Sequence, residues 1–268
     1  MFDSFSPFII YTFYFILGTA VGSFLNVWSR RLLRGEPITG RSHCEHCGHV
    51  LSILDLIPLF SFFFLRGRCR YCSKPLSWQY PIVEFGTGLL FAAVAFFKFM
   101  PCGTHWWCLL PAPFLLVSLS ALIVVFLTDF LAQEIFDQVV LVGIISAFTY
   151  RLAFHLSDPL LFIFDLLGAL TAFWFFQLIR WVTGNRGLGE GDPPLELFVA
   201  LLVGVPLVLV QLFLSFIFGS VVGIILVALE KKKLKDHIAF APFIVAATFV
   251  TILVGDFIWS WYLNQLGF

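Results

Sequence analysis

The chain has 268 residues, 60% of them hydrophobic and only 12% charged, with 16 basic and 16 acidic side chains cancelling to zero net charge. A soluble domain is about a quarter charged, so a water-soluble globule is excluded, and a neutral chain offers nucleic acid no bulk attraction. The composition predicts an all-α polytopic integral membrane protein held in a lipid bilayer.

The chain opens Met1-Phe-Asp-Ser, without a basic start or a small-residue cleavage site. The apolar run near Phe8 to Trp28 therefore reads as an uncleaved first span, giving a first segment 1–28. A polar segment follows over 29–79. Further runs of spanning length lie near Tyr80 to Met100, Leu109 to Thr128, Gln138 to Leu156 and Pro159 to Val182. A Gly-rich loop covers 183–194. The next apolar stretch, Leu195 to Leu229, is too long for one span and contains Gly204 and Pro206. It reads as a tight hairpin of two short spans. A charged loop over 230–237 leads to a last span from Ile238 to about Leu263. The expectation is about eight transmembrane helices, with residues 80–268 forming one membrane-embedded part.

Basic residues orient this array. Arg30, Arg31, Arg34, Arg41, Arg66, Arg68, Arg70 and Lys74 lie after the first span, Arg180 and Arg186 after the fifth, and Lys231, Lys232, Lys233 and Lys235 before the last. An even helix count puts all three groups on one side, with Lys98 and Arg151 near the other. That side is predicted to be cytoplasmic, with both termini facing outward.

The 29–79 segment carries Cys44-Glu-His-Cys47 and Cys69-Arg-Tyr-Cys72. Two C-x-x-C pairs can close a tetrahedral thiolate site, which suits a structural Zn2+ and makes this segment a small cytoplasmic zinc-binding loop domain. The alternative is redox chemistry, but the doubled pair favours a metal. His43, His46 and His49 crowd the site without being assigned as ligands. Cys102 and Cys108, on the outer side, either pair in an oxidising compartment or remain free beside Trp106 and Trp107.

Two aspartates stand at apolar boundaries: Asp129 ends the third run, and Asp192 closes Gly187-Leu-Gly-Glu-Gly-Asp192. With the orientation above, both lie at cytoplasmic helix ends. Either they cap helices at the interface or they converge as an acid/base pair that shares one proton. Gly189 and Gly191 lack the spacing of a dinucleotide or phosphate loop. They are expected to let the backbone approach a bound chain beside the carboxylate, and Pro193-Pro194 to start the next helix. Asp137 is expected to cap the fourth span, Glu134 and Glu190 to be solvated, and Asp165, inside the fifth span, either to pair with a polar group on a neighbouring helix or to face the outer interface.

These residues resemble the type IV prepilin peptidases, polytopic aspartic proteases of bacterial inner membranes. Gly22-Ser-Phe-Leu-Asn-Val is similar to the family's opening motif, and Arg41-Ser-His-Cys44 through Cys72 to its zinc-binding loop. Ile57-Pro-Leu-Phe-Ser61 and Tyr80-Pro-Ile-Val-Glu84 resemble the segments flanking that loop. Asp129 with Ile135-Phe-Asp137 resembles the first aspartate motif, and Gly189-Glu-Gly-Asp192 the second, G-x-G-D. The chain departs from the pattern at Phe136, where proline is usual, at Pro194, where lysine is common, and at Ala241-Pro242-Phe243, a reduced C-terminal motif.

The resemblance implies cleavage of the leader peptide from type IV prepilins or pseudopilins, the substrates of pilus assembly and type II secretion, at the cytoplasmic face. Asp129 and Asp192 would be catalytic, with Gly189, Gly191, Asp137 and Glu84 supporting. It also implies S-adenosylmethionine-dependent N-methylation of the new N-terminal residue. Two alternatives compete: a zinc-loop transporter or scaffold whose aspartates bind protons or cations, and a presenilin-like protease, against which the four-cysteine loop argues.

Overall fold

The computed structural model of the protein describes residues 7–99, 110–185, 188–229 and 239–267. Cys102 and Cys108 lie outside the described residues, as do Arg186, Lys231, Lys232, Lys233 and Lys235. The chain forms two compact units, Met1–His105 and Trp106–Phe268.

The first unit is built on α1 (Pro7–Leu33) and α3 (Gln79–Val94, continued by a π turn Ala95–Phe99). Helix α1 runs past Trp28 to Leu33, so Arg30 and Arg31 occupy its last turn, where cations complement the helix dipole. The two helices meet through small residues. A Cβ on Gly18 would lie 2.8 Å from Gly88 Cα, and one on Gly22 would lie 2.8 Å from Thr87 Oγ1. This is a Gly-x-x-x-Gly face, which lets backbones approach without a hydrophobic drive between helices. Between α1 and α3 sit a short 3-10 turn (Ile53–Leu56) and the five-residue α2 (Phe60–Phe64).

The second unit contains α4 (Ala112–Ala132), α5 (Asp137–Phe154), α6 (Pro159–Val182), α7 (Asp192–Val203), α8 (Leu207–Ala228) and α9 (Ala241–Gln265). Among the described residues, seven helices are long and apolar enough to cross a membrane. The eighth, α7, has 12 residues. At 1.5 Å per residue it is about 18 Å long, well short of a hydrocarbon core of about 30 Å. The expected hairpin is present and breaks at Gly204–Pro206, but its arms are unequal, because α8 has 22 residues. Gly204 has φ +69°, a left-handed conformation that favours glycine.

Helix α7 packs against α5, α6, α8 and α9. All its residues except Pro194 and Leu197 are buried, as expected of a helix apolar on every face. Gly143 on α5 is obligatory here, since a Cβ would lie 2.3 Å from the Phe198 ring. Arg151 donates from Nε to the Leu201 carbonyl (3.1 Å) and from Nη2 to Leu202 (3.0 Å), satisfying carbonyls at the end of α7. Asp165 accepts from Val205 N–H at 2.8 Å and faces His155 Nε2 at 3.0 Å and Arg151 Nη1 at 3.6 Å. Its expected structural pairing is thus met, with partners on α5 and on the turn after α7.

Candidate active site and metal centre

Asp129 sits in the last turn of α4 and Asp192 is the first residue of α7. A helix C-terminus and a helix N-terminus of the second unit therefore each contribute one carboxylate. Both residues are buried, at 5% and 3% exposure, so neither is a solvated cap. The two lie near enough for their charges to act on one another. Asp192 Oδ2 accepts a 2.7 Å bond from Gly189 N–H, which fixes one of its oxygens. Asp129 Oδ2 is buried with no hydrogen-bond partner among the described residues. A buried carboxylate oxygen left unpartnered is costly unless a substrate, water or shared proton completes it.

The glycine loop approaches its own chain at Gly191. A Cβ on Gly191 would lie 2.8 Å from Ile135 Cβ, so glycine lets the α6–α7 loop close against the α4–α5 loop. This contact draws the segments after Asp129 and before Asp192 together. Gly189 serves through its N–H. Pro193 and Pro194 open α7 as expected. Arg180 pairs with Glu190, which remains 89% exposed; Glu134 is exposed. Asp137 is not the cap of α5. Phe136 occupies that position, and Asp137, exposed in the first turn, faces the positive end of the dipole instead.

Glu196 was not singled out from the sequence. It lies one turn after Asp192 on the same face of α7 and is wholly buried. Gln211 Nε2 on α8 donates to it at 3.4 Å and to Ser215 Oγ at 3.1 Å. A file of polar groups thus runs inward from Asp192. The i, i+4 spacing of two acids in an apolar helix was the available signal.

In the first unit, Cys44, Cys47, Cys69 and Cys72 converge, with their sulfurs within 4.8 Å of one another. Two matching knuckles produce this. Cys44 N–H donates to His49 O and Gly48 N–H to Cys44 O; Cys69 N–H donates to Lys74 O and Ser73 N–H to Cys69 O, all at 2.9 Å. Each knuckle turns through a positive φ, at Gly48 (+69°) and Ser73 (+59°). The Cys44 and Cys72 sulfurs are 3.9 Å apart. A tetrahedron with Zn–S of 2.3 Å has edges of about 3.8 Å, so the quartet fits that ion. Burial pushes the Cys44 thiol up, but the N–H groups of His46 and Cys47 and the thiols of Cys69 and Cys47 outweigh it and bring it to about 7. For Cys72, burial and the other thiols outweigh the Lys74 N–H and push it up to about 11. The histidines stand outside the quartet, and His49 stacks on Tyr71 with ring centroids 3.7 Å apart.

Glu84, on α3, is buried and accepts from Leu59 N–H at 2.7 Å. It anchors the loop at a residue with φ +62°. Beside it, a cavity within the first unit is lined by Ser23, Arg30, Arg34, Tyr80 and Glu84 among others.

The family model for the bacterial peptidase A24 N-terminal domain matches residues 16–98, and that for the type IV leader peptidase family matches residues 116–224. A prepilin leader peptidase/N-methyltransferase of Bacillus subtilis is 31% identical over 253 residues, spanning 94% of this chain and 97% of its own. That of Aeromonas hydrophila is 30% identical over 289 residues, spanning 97% and 96%. That of Pseudomonas aeruginosa is 30% identical over 282 residues, spanning 94% and 93%. No solved structure matches the chain. Aligned over nearly its whole length with such relatives, the chain belongs to the type IV leader peptidase family.

Proposed function

We propose that this protein is a membrane aspartic endopeptidase. It removes the leader peptide from type IV prepilins or pseudopilins and N-methylates the residue so exposed. The observation that carries the peptidase reading is the pair of buried carboxylates, Asp129 and Asp192, delivered by α4 and α7 of one unit. Two such groups in electrostatic contact share a proton, because both cannot ionise cheaply. The ionised member takes a proton from water as the water oxygen attacks the scissile carbonyl. The protonated member donates a hydrogen bond to the carbonyl oxygen. Collapse of the tetrahedral intermediate breaks the C–N bond, and a carboxylic acid passes its proton to the departing amine.

The site and the loop face the cytoplasm from the bacterial inner membrane in this reading, which the basic residues at the end of α1 and in the cysteine loop support. Peptidase chemistry falls within residues 80–268, with the loop over 29–79 as a separate element. Cys44, Cys47, Cys69 and Cys72 would hold Zn2+, which supplies a closed cross-link and no reactive position. S-adenosylmethionine would supply an electrophilic methyl group. The cavity beside Glu84 offers a carboxylate for a sulfonium, while the Arg30 guanidinium in its lining is held by Glu45 and Gln79.

The test is cleavage of a full-length prepilin in liposomes by the wild type, Asp129→Asn and Asp192→Asn. Loss of the shortened product in both variants, at normal expression, is expected. Full cleavage by either would remove the dyad. Transfer of label from S-adenosylmethionine to cut pilin tests the second activity, and an unlabelled product would defeat it.

A further inference from the structure

Between the two cysteine knuckles the chain leaves most of its apolar surface uncovered. Phe64 is 90% exposed, Ile53 85%, Phe60 72%, Phe63 62% and Leu54 61%. Phe60, Phe63 and Phe64 fall at i, i+3 and i+4 of α2 and share one face, while Phe62 turns inward as its buried residue. A patch of this kind marks an interaction surface.

Two contacts set the height of this ridge along α3, which is long and apolar enough to cross a membrane. The Leu59 N–H reaches the carboxylate of Glu84. Glu84 lies five residues into α3, about 7.5 Å along its axis. The Phe62 ring packs edge-on to Trp78, with centroids 5.1 Å apart, and Trp78 immediately precedes α3 and is 64% exposed. The ridge therefore lies beside the first turns of α3, level with Ile82 and Phe85, which are also exposed. Charge agrees with this level. Arg66, Arg68 and Lys74 are exposed, with no carboxylate in ion-pair range among the described residues. Asp55 is the one acid between positions 50 and 78, and its side chain, 4% exposed, is paired to Arg70 at 2.8 Å.

We propose that residues 53–64 form a membrane-seated ridge. Ile53, Leu54, Phe60, Phe63 and Phe64 enter the headgroup–acyl boundary of the bilayer that α3 crosses, and Arg66, Arg68 and Lys74 meet the phosphates of anionic lipids. Aromatic residues on one side with cations beside them are what such a boundary accepts. The ridge thus seats the knuckles on the membrane surface.

The full-length protein in nanodiscs of phosphatidylcholine and phosphatidylglycerol, with a tracer phospholipid carrying a diazirine high on its acyl chain, provides the test. After irradiation and digestion, mass spectrometry is expected to find lipid adducts on the peptide covering residues 51–66 as well as on α3. Paired Phe63→Ser and Phe64→Ser changes are expected to remove most of the label from that peptide and leave α3 labelled. Adducts on α3 with none on residues 51–66 of the wild type would overturn the proposal.

Discussion

Glu196 is wholly buried and accepts one long hydrogen bond, from Gln211. Glu196→Gln preserves shape and that partner, so its melting temperature in detergent is expected to stay close to wild type. Glu196→Leu strips Gln211 Nε2 of an acceptor inside the unit and is expected to cost about 1–3 kcal/mol. Asp55 offers a second test. Its Oδ2 accepts from Ser52 N–H (3.0 Å), Ser52 Oγ (2.7 Å) and Tyr71 (3.1 Å). Burial works against the charged form, but the Ser52 and Tyr71 bonds and Arg70 outweigh it and hold the carboxyl below the usual range. A group whose folded pKa is depressed stabilises above its unfolded pKa and loses that contribution as pH falls through the folded value. The loop of Asp55→Asn is therefore expected to exchange amide hydrogens faster than wild type at neutral pH, with the difference closing below about pH 4. At this scale the sequence was legible where chemistry is rare: two acids beside apolar runs are conspicuous. Glu196 was not, because it lies inside an apolar run whose ends drew the reading, and burial depends on which helices surround α7.

Helix α7 is too short to span and too apolar to face water, so its place depends on what grips its ends. At its start, Gly191 packs on Ile135. At its end, Arg151 takes two carbonyls while Asp165 takes the Val205 N–H. Arg151→Ala leaves those carbonyls unsatisfied and the buried Asp165 carboxylate without its guanidinium. A loss of about 3–5 kcal/mol is expected, read as a shift in unfolding midpoint in detergent. Asp165→Asn alone should cost less, and the pair together less than the sum, since each change removes what the other opposes. The hairpin was legible from Gly204 and Pro206, which a continuous helix tolerates poorly. Its unequal arms were not, because hydropathy alone cannot separate a lipid-facing run from one sheathed by other helices. The same blindness hid the Gly18–Gly22 face, where the signal is close approach and not polarity.

Across the whole molecule, the two kinds of chemistry are carried by separate stretches of chain: the thiol quartet within Met1–His105 and the aspartate pair within Trp106–Phe268. The quartet was legible because C-x-x-C spacing dictates a knuckle whatever surrounds it. The 3-10 turn and α2 were not, being too short to leave a periodic pattern. This division predicts what metal removal does. The loop has little helix to lose, four residues of 3-10 turn and five in α2. Its knuckles meet at the four sulfurs and at the His49–Tyr71 stack, so without the cation four crowded thiols remain between them. Cys44→Ser with Cys69→Ser, or prolonged chelation, is expected to bring zinc well below one per chain and to open residues 41–76 to protease. The circular dichroism of the helices and the unfolding midpoint of the second unit should be unchanged, because α4 to α9 draw their stability from packing among themselves. Zinc analysis with limited proteolysis checks this directly. A collapse of helical signal on chelation would show that the metal supports the membrane helices, and a loop that stays resistant without zinc would mean that Asp55 and Glu84 suffice to hold it.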